Sequence, residues 1–386
     1  MSSSKTAEKD PTAGTLSERL ETVLAVASQH AAEVDEAARF PAEAVSELRR
    51  SGLFGLTAPR EQGGLGEGPM EFVDVVARLA EACGSTAMVY LMHISALMPV
   101  LAAPPSGLPG LAREMAAGKL GTLAFSERGS RSHFWAPVSR AAGSNGTVQV
   151  KADKSFVTSA GEAGVYVTST LTAQASGPVD SDIYAVPSEA PGLKVGAPWR
   201  GLGLRGNASS PVEVDVTIPV DHRLGEAGGG FKLMMEVVLP WFNLGNAAVS
   251  LGLARASLRA AATHASGTRF DHIGESLASL PTIRAQLARM QVAVDCCDAY
   301  LRDAAASVAS PGAGTLLKVL SIKACNNDSA LAVTDAAMRV CGGAAFSGRL
   351  GIDRFFRDAR AGHVMAPTAD VLYDFIGKAI TGLPLF

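Results

Sequence analysis

Cysteine is sparse in this 386-residue chain: Cys83, Cys296, Cys297, Cys325 and Cys341 form neither a Cys-x-x-Cys pair nor a Cys/His cluster at metal-ligand spacing. Structural zinc and iron–sulfur centres need such spacing, so no metal is expected, and a reducing compartment fits. Cys296 and Cys297 are adjacent, but neighbours on a helix point about 100° apart and rarely bridge. Charge is sparse too, at 18% of residues with a net charge of -3. Nucleic acid and anionic membranes both select basic stripes, so neither is expected as a partner. No apolar run approaches the roughly 20 residues of a membrane-spanning helix. The opening MSSSKTAEKDPTAG lacks the apolar centre of a secretory signal. Residues 1–14 therefore read as a disordered lead-in and the chain as soluble and cytoplasmic.

Apolar residues, by contrast, make up 47% of the chain, enough to bury a large core in two or three domains. From Thr15 to about Lys119 the pattern is helical. LSERLETVLAVASQHAAEV repeats apolar residues at three- and four-residue steps, Pro41 opens a second helix that Gly52 closes, and a further helix follows from Met70 through Ala82. EQGGLGEG, between them, reads as a loop. After Gly121 short β-branched runs take over. In VEVDVTI, Val212, Val214, Val216 and Ile218 alternate with polar residues, the period of a half-buried antiparallel strand, and GTVQV, KSFVTS, GVYVTST and DIYAV supply its neighbours. From about Gly230 helices return, the clearest carrying Ile283, Leu287, Met290, Val294, Cys297 and Leu301 as a bundle seam. The expected class is α+β: an N-terminal α-helical domain (15–119), a central antiparallel β-barrel-like domain (120–224) and a C-terminal four-helix bundle (225–386).

Gly201, Gly203 and Gly206 spell Gly-x-Gly-x-x-Gly, which in a dinucleotide-binding fold opens a helix. A strand follows here instead, so these glycines read as a tight turn and no nicotinamide site is expected.

Other phrases follow one another in a fixed order. They are Asp35, Phe40-Pro41, Leu48, Gly52-Leu53-Phe54, Pro59 and Gln62 to Gly66 in the helical part; then Phe125-Ser126-Glu127 through Ser132, Lys154 to Ser159, and Gly203 to Gly206; then Gly230-Phe231, Arg339 to Gly343, and Arg357-Asp358-Ala359-Arg360. From about Leu16 to the C-terminus this series resembles the acyl-CoA dehydrogenase superfamily. The resemblance implies FAD. It places Phe125, Ser126, Phe156 and Thr158 at the isoalloxazine ring, whose N5 and pyrimidine edge need hydrogen bonds. It places Ser132 and Arg269 at the pyrophosphate, and Arg339, Gly342 and Gly343 toward the cofactor of a neighbouring subunit in a homotetramer or homodimer. Thr368 matches the threonine that follows the family's catalytic glutamate.

That glutamate is absent. The family's usual position falls on Ala366 in HVMAPT, and the position used by a minority branch falls on Phe242. Neither residue accepts a proton, so either the base has moved or the chemistry does not need one. Asp370, one helical turn beyond Ala366, is a candidate, though an acid in a first helical turn also complements the dipole. His93, on an apolar helix, is the other, with a satisfied core histidine as its bland alternative. Glu127, His133 and His363 flank the same loops. Arg131, His133 and Arg339 depart from the family pattern and could recognise an anionic substrate. The implied activity is α,β-dehydrogenation of an acyl thioester, on coenzyme A or a carrier protein, with an electron-acceptor flavoprotein. The alternative, favoured by the lost glutamate, is an oxygen-dependent flavin monooxygenase fed by a separate flavin reductase.

Overall fold

The computed structural model describes residues 14–131 and 133–385, so the expectations placed on residues 1–13 and on Ser132 lie outside the described residues. Helices come first: α1 (Leu16–Glu36), α2 (Ala42–Arg50), α3 (Pro69–Ala82), α4 (Gly84–Ala102) and α5 (Leu111–Ala116). Thr15 and Glu18 close a capping box on α1, and Gly52 ends the second helical segment at φ +72°. Helix α4 is buried on nearly every side, which is why its sequence is apolar all round and not striped.

Strands follow: β1 (Gly121–Ala124), β2 (Ala142–Ser144), β3 (Thr147–Val157), β4 (Val165–Leu171), β5 (Ser181–Pro187), β6 (Leu193–Val195) and β7 (Ser210–Pro219). They form two sheets, in the orders β1-β4-β5 and β2-β3-β7-β6. The expected strand around Val212 is β7, alternately buried as read. GTVQV and the start of KSFVTS merge into one strand, β3, whose register breaks between Lys154 and Val157. Two features of the β unit differ from expectation. There is no closed barrel, and β1 pairs with β4 in parallel. A parallel pair needs a long crossover, which the β2–β3 hairpin provides. The sheets face each other across Val150, Val214 and Val216 on one side and Tyr166, Tyr184 and Val186 on the other. The opposite faces of β4 and β5 carry Val165, Val167, Ile183 and Ala185 into the main helical core, so these strands are buried on both faces.

The remaining helices are α6 (Gly230–Leu233), α7 (Leu239–Gly267), α8 (Pro281–Ala309), α9 (Thr315–Cys341), α10 (Gly343–Phe346), α11 (Ile352–Val364) and α12 (Ala369–Thr381), with a β8 (Arg269–Phe270), β9 (Glu275–Ser276) hairpin before α8. Helices α7, α8, α9 and α11 pack on one another as the bundle, α12 lies on α9, and α7 also packs on α3 and α4. Met290, Val294, Cys297 and Leu301 are buried along α8, as the seam required. Between α6 and α7 the helix widens into a π segment, Met234–Val238. Pro240 has no N–H to close an ordinary turn there, and a π turn absorbs the lost bond.

Candidate active site

A cavity of about 610 Å³ opens where the β unit, α7 and the α11–α12 connection meet. Phe125, Ser126 and Glu127 reach it from the end of β1, Phe156 and Thr158 from the end of β3, Val238 and Phe242 from the π segment and α7, and Met365, Ala366 and Thr368 from the connection. A cavity of this size suits a drug-sized ligand. Residues separated by more than two hundred positions thus converge, and they include most of those the resemblance assigned to the flavin ring together with both glutamate positions.

Left-handed backbone crowds this cavity at residues that are not glycine. Arg131, Phe156 and Leu204, all cavity residues, have φ of +51°, +55° and +49°, and Ser159 and Ala208 beside them +59° and +51°. Each such residue costs on the order of 1–3 kcal/mol and persists only where its surroundings over-determine it, which happens most at functional sites. Here the ties are Ser159 N to the Asn207 carbonyl (2.9 Å), Ala160 N to the Ala208 carbonyl (3.1 Å) and the Thr122 hydroxyl to the Thr158 carbonyl (2.6 Å). The strain turns the Phe156 ring outward, 64% exposed, onto Trp199 with centroids 4.8 Å apart and planes at 19°.

Charge in the cavity is lopsided. Among the described residues its one carboxylate is Glu127, which is already fully engaged. Glu127 accepts from the Lys154 ammonium (2.6 Å), the Ser139 hydroxyl (2.6 Å) and the Val138 and Ser139 amides (2.9 and 2.7 Å). Burial pushes its pKa up, but Lys154 and Ser139 outweigh burial and hold it below the usual carboxylate range. Arg131, Arg200, Arg205 and Arg360 also line the cavity, and among the described residues no carboxylate pairs with any of them.

The turn that carries the glycines is fixed from the last domain. Arg357 pairs with Asp35 (2.9 and 2.5 Å) and donates to the Leu202 carbonyl, while Asp358 accepts from Leu204 N at 2.6 Å. A methyl group on Gly203 would lie 2.4 Å from the Arg357 carbonyl, and one on Gly206 2.7 Å from that of Arg39. Close packing is what these glycines serve.

Other expected residues stand elsewhere. His93 is fully buried beneath the cavity residue Met92. Its Nδ1 accepts from Gly121 N and its Nε2 faces the Phe54 carbonyl, both at 3.1 Å, which fixes the neutral tautomer. Burial lowers its pKa to about 4. Asp370 is exposed in the first turn of α12, two residues beyond Thr368. Arg269 is exposed and donates to the Gly274 carbonyl of its own hairpin. Arg339 pairs with Asp335 at 3.3 Å, and Gly342 and Gly343 are exposed at the end of α9, the former at φ +52°. None of these lines the cavity. His363 lies 3.3 Å from Asp328, and His133 packs on Trp135 with ring centroids 5.0 Å apart and planes tilted by 38°.

Sequence reasoning missed Lys323. This residue is fully buried on α9 and donates to the carbonyls of Gly362 (3.1 Å), Met365 (3.1 Å) and Pro367 (2.8 Å). A signal was present: Lys323, Asn326, Asn327 and Thr334 follow the buried helical spacing of Val319, Ala330 and Val333, and polar residues on a core face need partners.

Fold and cavity together define an enzyme of the helical, β, helical class with a basic, aromatic cofactor cleft at its centre. Family profiles for the N-terminal, middle and C-terminal domains of acyl-CoA dehydrogenase match residues 16–104, 122–216 and 228–381, and the chain belongs to that family. The short-chain specific acyl-CoA dehydrogenase of Bos taurus mitochondria is 28% identical over 346 residues, 88% of this chain and 83% of that protein. Butyryl-CoA dehydrogenase from Megasphaera elsdenii superposes with a TM-score of 0.88 at 22% identity, covering 95% of this chain and 99% of that one. The prolyl acyl carrier protein oxidase AnaB gives 0.86 at 17% identity over 95% and 100%. Members of the family are FAD-dependent oxidoreductases, and FAD is the cofactor here. The cleft fits it: the outward Phe156 ring offers a stacking face, and the unpaired arginines suit a pyrophosphate.

Proposed function

We propose that this chain oxidises an acyl thioester by α,β-dehydrogenation, with FAD as the immediate acceptor. The observation that carries the reading is the convergence of Phe125, Ser126, Phe156 and Thr158 with Met365, Ala366 and Thr368 on one cavity. Phe156 and Thr158 would hold the isoalloxazine ring, and Arg131 and Arg200 the phosphates. Bound FAD supplies a two-electron acceptor at its ring. The apolar inner wall of Met92, Leu123, Val238 and Phe242 would seat an acyl chain and exclude water from it. Proton removal would fall to Asp370, which stands outside the cavity two residues beyond Thr368 and would have to swing inward, because both nitrogens of His93 are engaged. The partner is an acyl group on coenzyme A or a carrier protein, with an electron-acceptor flavoprotein downstream and assembly as a homotetramer or homodimer.

One observation favours a second reading. Among the described residues the cavity holds no free proton acceptor, since Glu127 is saturated with donors. An oxygen-dependent FAD hydroxylase fed by a separate flavin reductase would need none. The deciding experiment is anaerobic mixing of FAD-loaded protein with short acyl-CoA and acyl-carrier thioesters while flavin absorbance is followed. Bleaching supports dehydrogenation. No bleaching, with oxygen consumed and product oxygenated once reduced flavin is supplied, replaces it with the hydroxylase.

A further inference from the structure

The connection between α11 and α12, residues 365–368, forms the cavity wall that carries Met365, Ala366 and Thr368. It begins where α11 ends, and the last carbonyls of a helix have no partner within it. Two residues of α9 satisfy these groups from behind. Asn327 donates to the Gly362 carbonyl at 2.8 Å, and Lys323 donates to Gly362, Met365 and Pro367. The packing is tight, for a methyl group on Gly362 would meet Asn327 Oδ1 at 2.7 Å.

We propose that Lys323 is the positioning residue of the cavity's inner wall: its Nζ meets three carbonyls with three N–H groups and clamps residues 362–367 in place. Burial lowers the Lys323 pKa to about 7, so the clamped chain holds this proton less tightly than a chain whose segment is open to water, and rising pH between about 7 and 10 favours the clamp. The neighbouring titratable groups are otherwise occupied: Cys325 of α9 is hydrogen-bonded to Cys297 of α8, and Asp358 of α11 accepts from Leu204 N. On α9 Asp328 faces His363 of α11 and the Tyr373 hydroxyl of α12, Arg360 of α11 donates to the Phe356 carbonyl, and Asp374 of α12 pairs with Lys378. Asp370 of α12 faces solvent, and α7 presents the uncharged Asn243 and Asn246.

The function assigned to the wall rests on the proposed acyl site, but the clamp can be tested without substrate. Hydrogen exchange of the FAD-loaded protein is followed by mass spectrometry from pH 6 to 8.5, with rates corrected for the intrinsic base catalysis of exchange. In the wild type, protection of the 362–370 peptide should rise with pH above about 7, by up to about tenfold per unit, while α8 peptides stay constant. Lys323→Met should exchange that peptide at least tenfold faster at pH 8.5 and show no pH dependence, and Lys323→Arg, if it folds, should lack the rise. A wild-type profile that is flat or falls with pH overturns the proposal, even if neither variant folds. So does a dependence that disappears in His363→Gln, which would assign the titration to that imidazole. If no thioester bleaches the flavin, the proposed reaction fails while this result stands.

Discussion

At the scale of single residues, two buried titrating groups work against each other. His93 has its pKa lowered by burial to about 4, so the folded chain binds its proton more weakly than the unfolded one does. Its contribution is present above about pH 6.5 and is lost as pH falls toward 4, and the span corresponds to about 3 kcal/mol. Asp358 is the reverse: burial raises its pKa to about 6. Its contribution is full below about pH 3.8 and declines as pH rises through 6, again by about 3 kcal/mol. Between about pH 4 and 6 the two slopes nearly cancel. Urea unfolding at several pH values should therefore show little net slope in the wild type. His93→Gln should leave stability falling as pH rises from 4 to 6, and Asp358→Asn should leave it rising. His93→Gln should also lose about 1–3 kcal/mol at pH 8 from its two buried hydrogen bonds. If instead it keeps its stability but shifts the pH profile of turnover, then His93 is the base.

Among the elements, β1, β3 and β4 are joined beside the cavity by one buried ion pair. Lys154 of β3 donates to Glu127 just after β1 and to the Ser169 carbonyl of β4, at 2.6 and 2.5 Å. Glu127→Gln strands an ammonium in the core and should cost about 3–5 kcal/mol, whereas the double variant Glu127→Gln with Lys154→Met should recover most of that loss. Urea midpoints for the four proteins check this, and a double variant no better than the single one refutes the coupling. This join also marks how far elements were legible in the sequence. Strand β7 was plain because one face is wet and its side chains alternate; β4 and β5 gave no alternation because helices cover one face and a sheet the other. The parallel β1–β4 pair left no trace, since direction of pairing depends on where a distant crossover lands and not on any local period.

For the whole molecule, the cavity residues proposed for the flavin ring were legible because a local phrase carries them, while Lys323 and the left-handed residues around Phe156 were not, because only tertiary contacts hold them. Arg269, expected at the pyrophosphate, stands outside this cavity, and Arg339, Gly342 and Gly343, expected toward a neighbouring subunit's cofactor, lie on surfaces that one chain leaves exposed. Within the cavity, the molecule brings the β-unit residues proposed for the flavin against the α11–α12 wall, and among the described residues that wall carries no proton acceptor. Ala366 stands on it. If a thioester lies between wall and ring, the carboxylate of Ala366→Glu would reach the α carbon from the side opposite the acceptor, and positioned general base catalysis contributes about 10²- to 10⁴-fold. Anaerobic flavin bleaching by a reactive thioester should then accelerate by that order, with a pH profile governed by the new carboxyl group. The same variant should make Asp370→Asn harmless, whereas Asp370→Asn alone should slow the reaction. An Ala366→Glu protein that binds FAD normally but bleaches with no thioester would mean that no acyl α carbon reaches this wall, and the hydroxylase reading would take over.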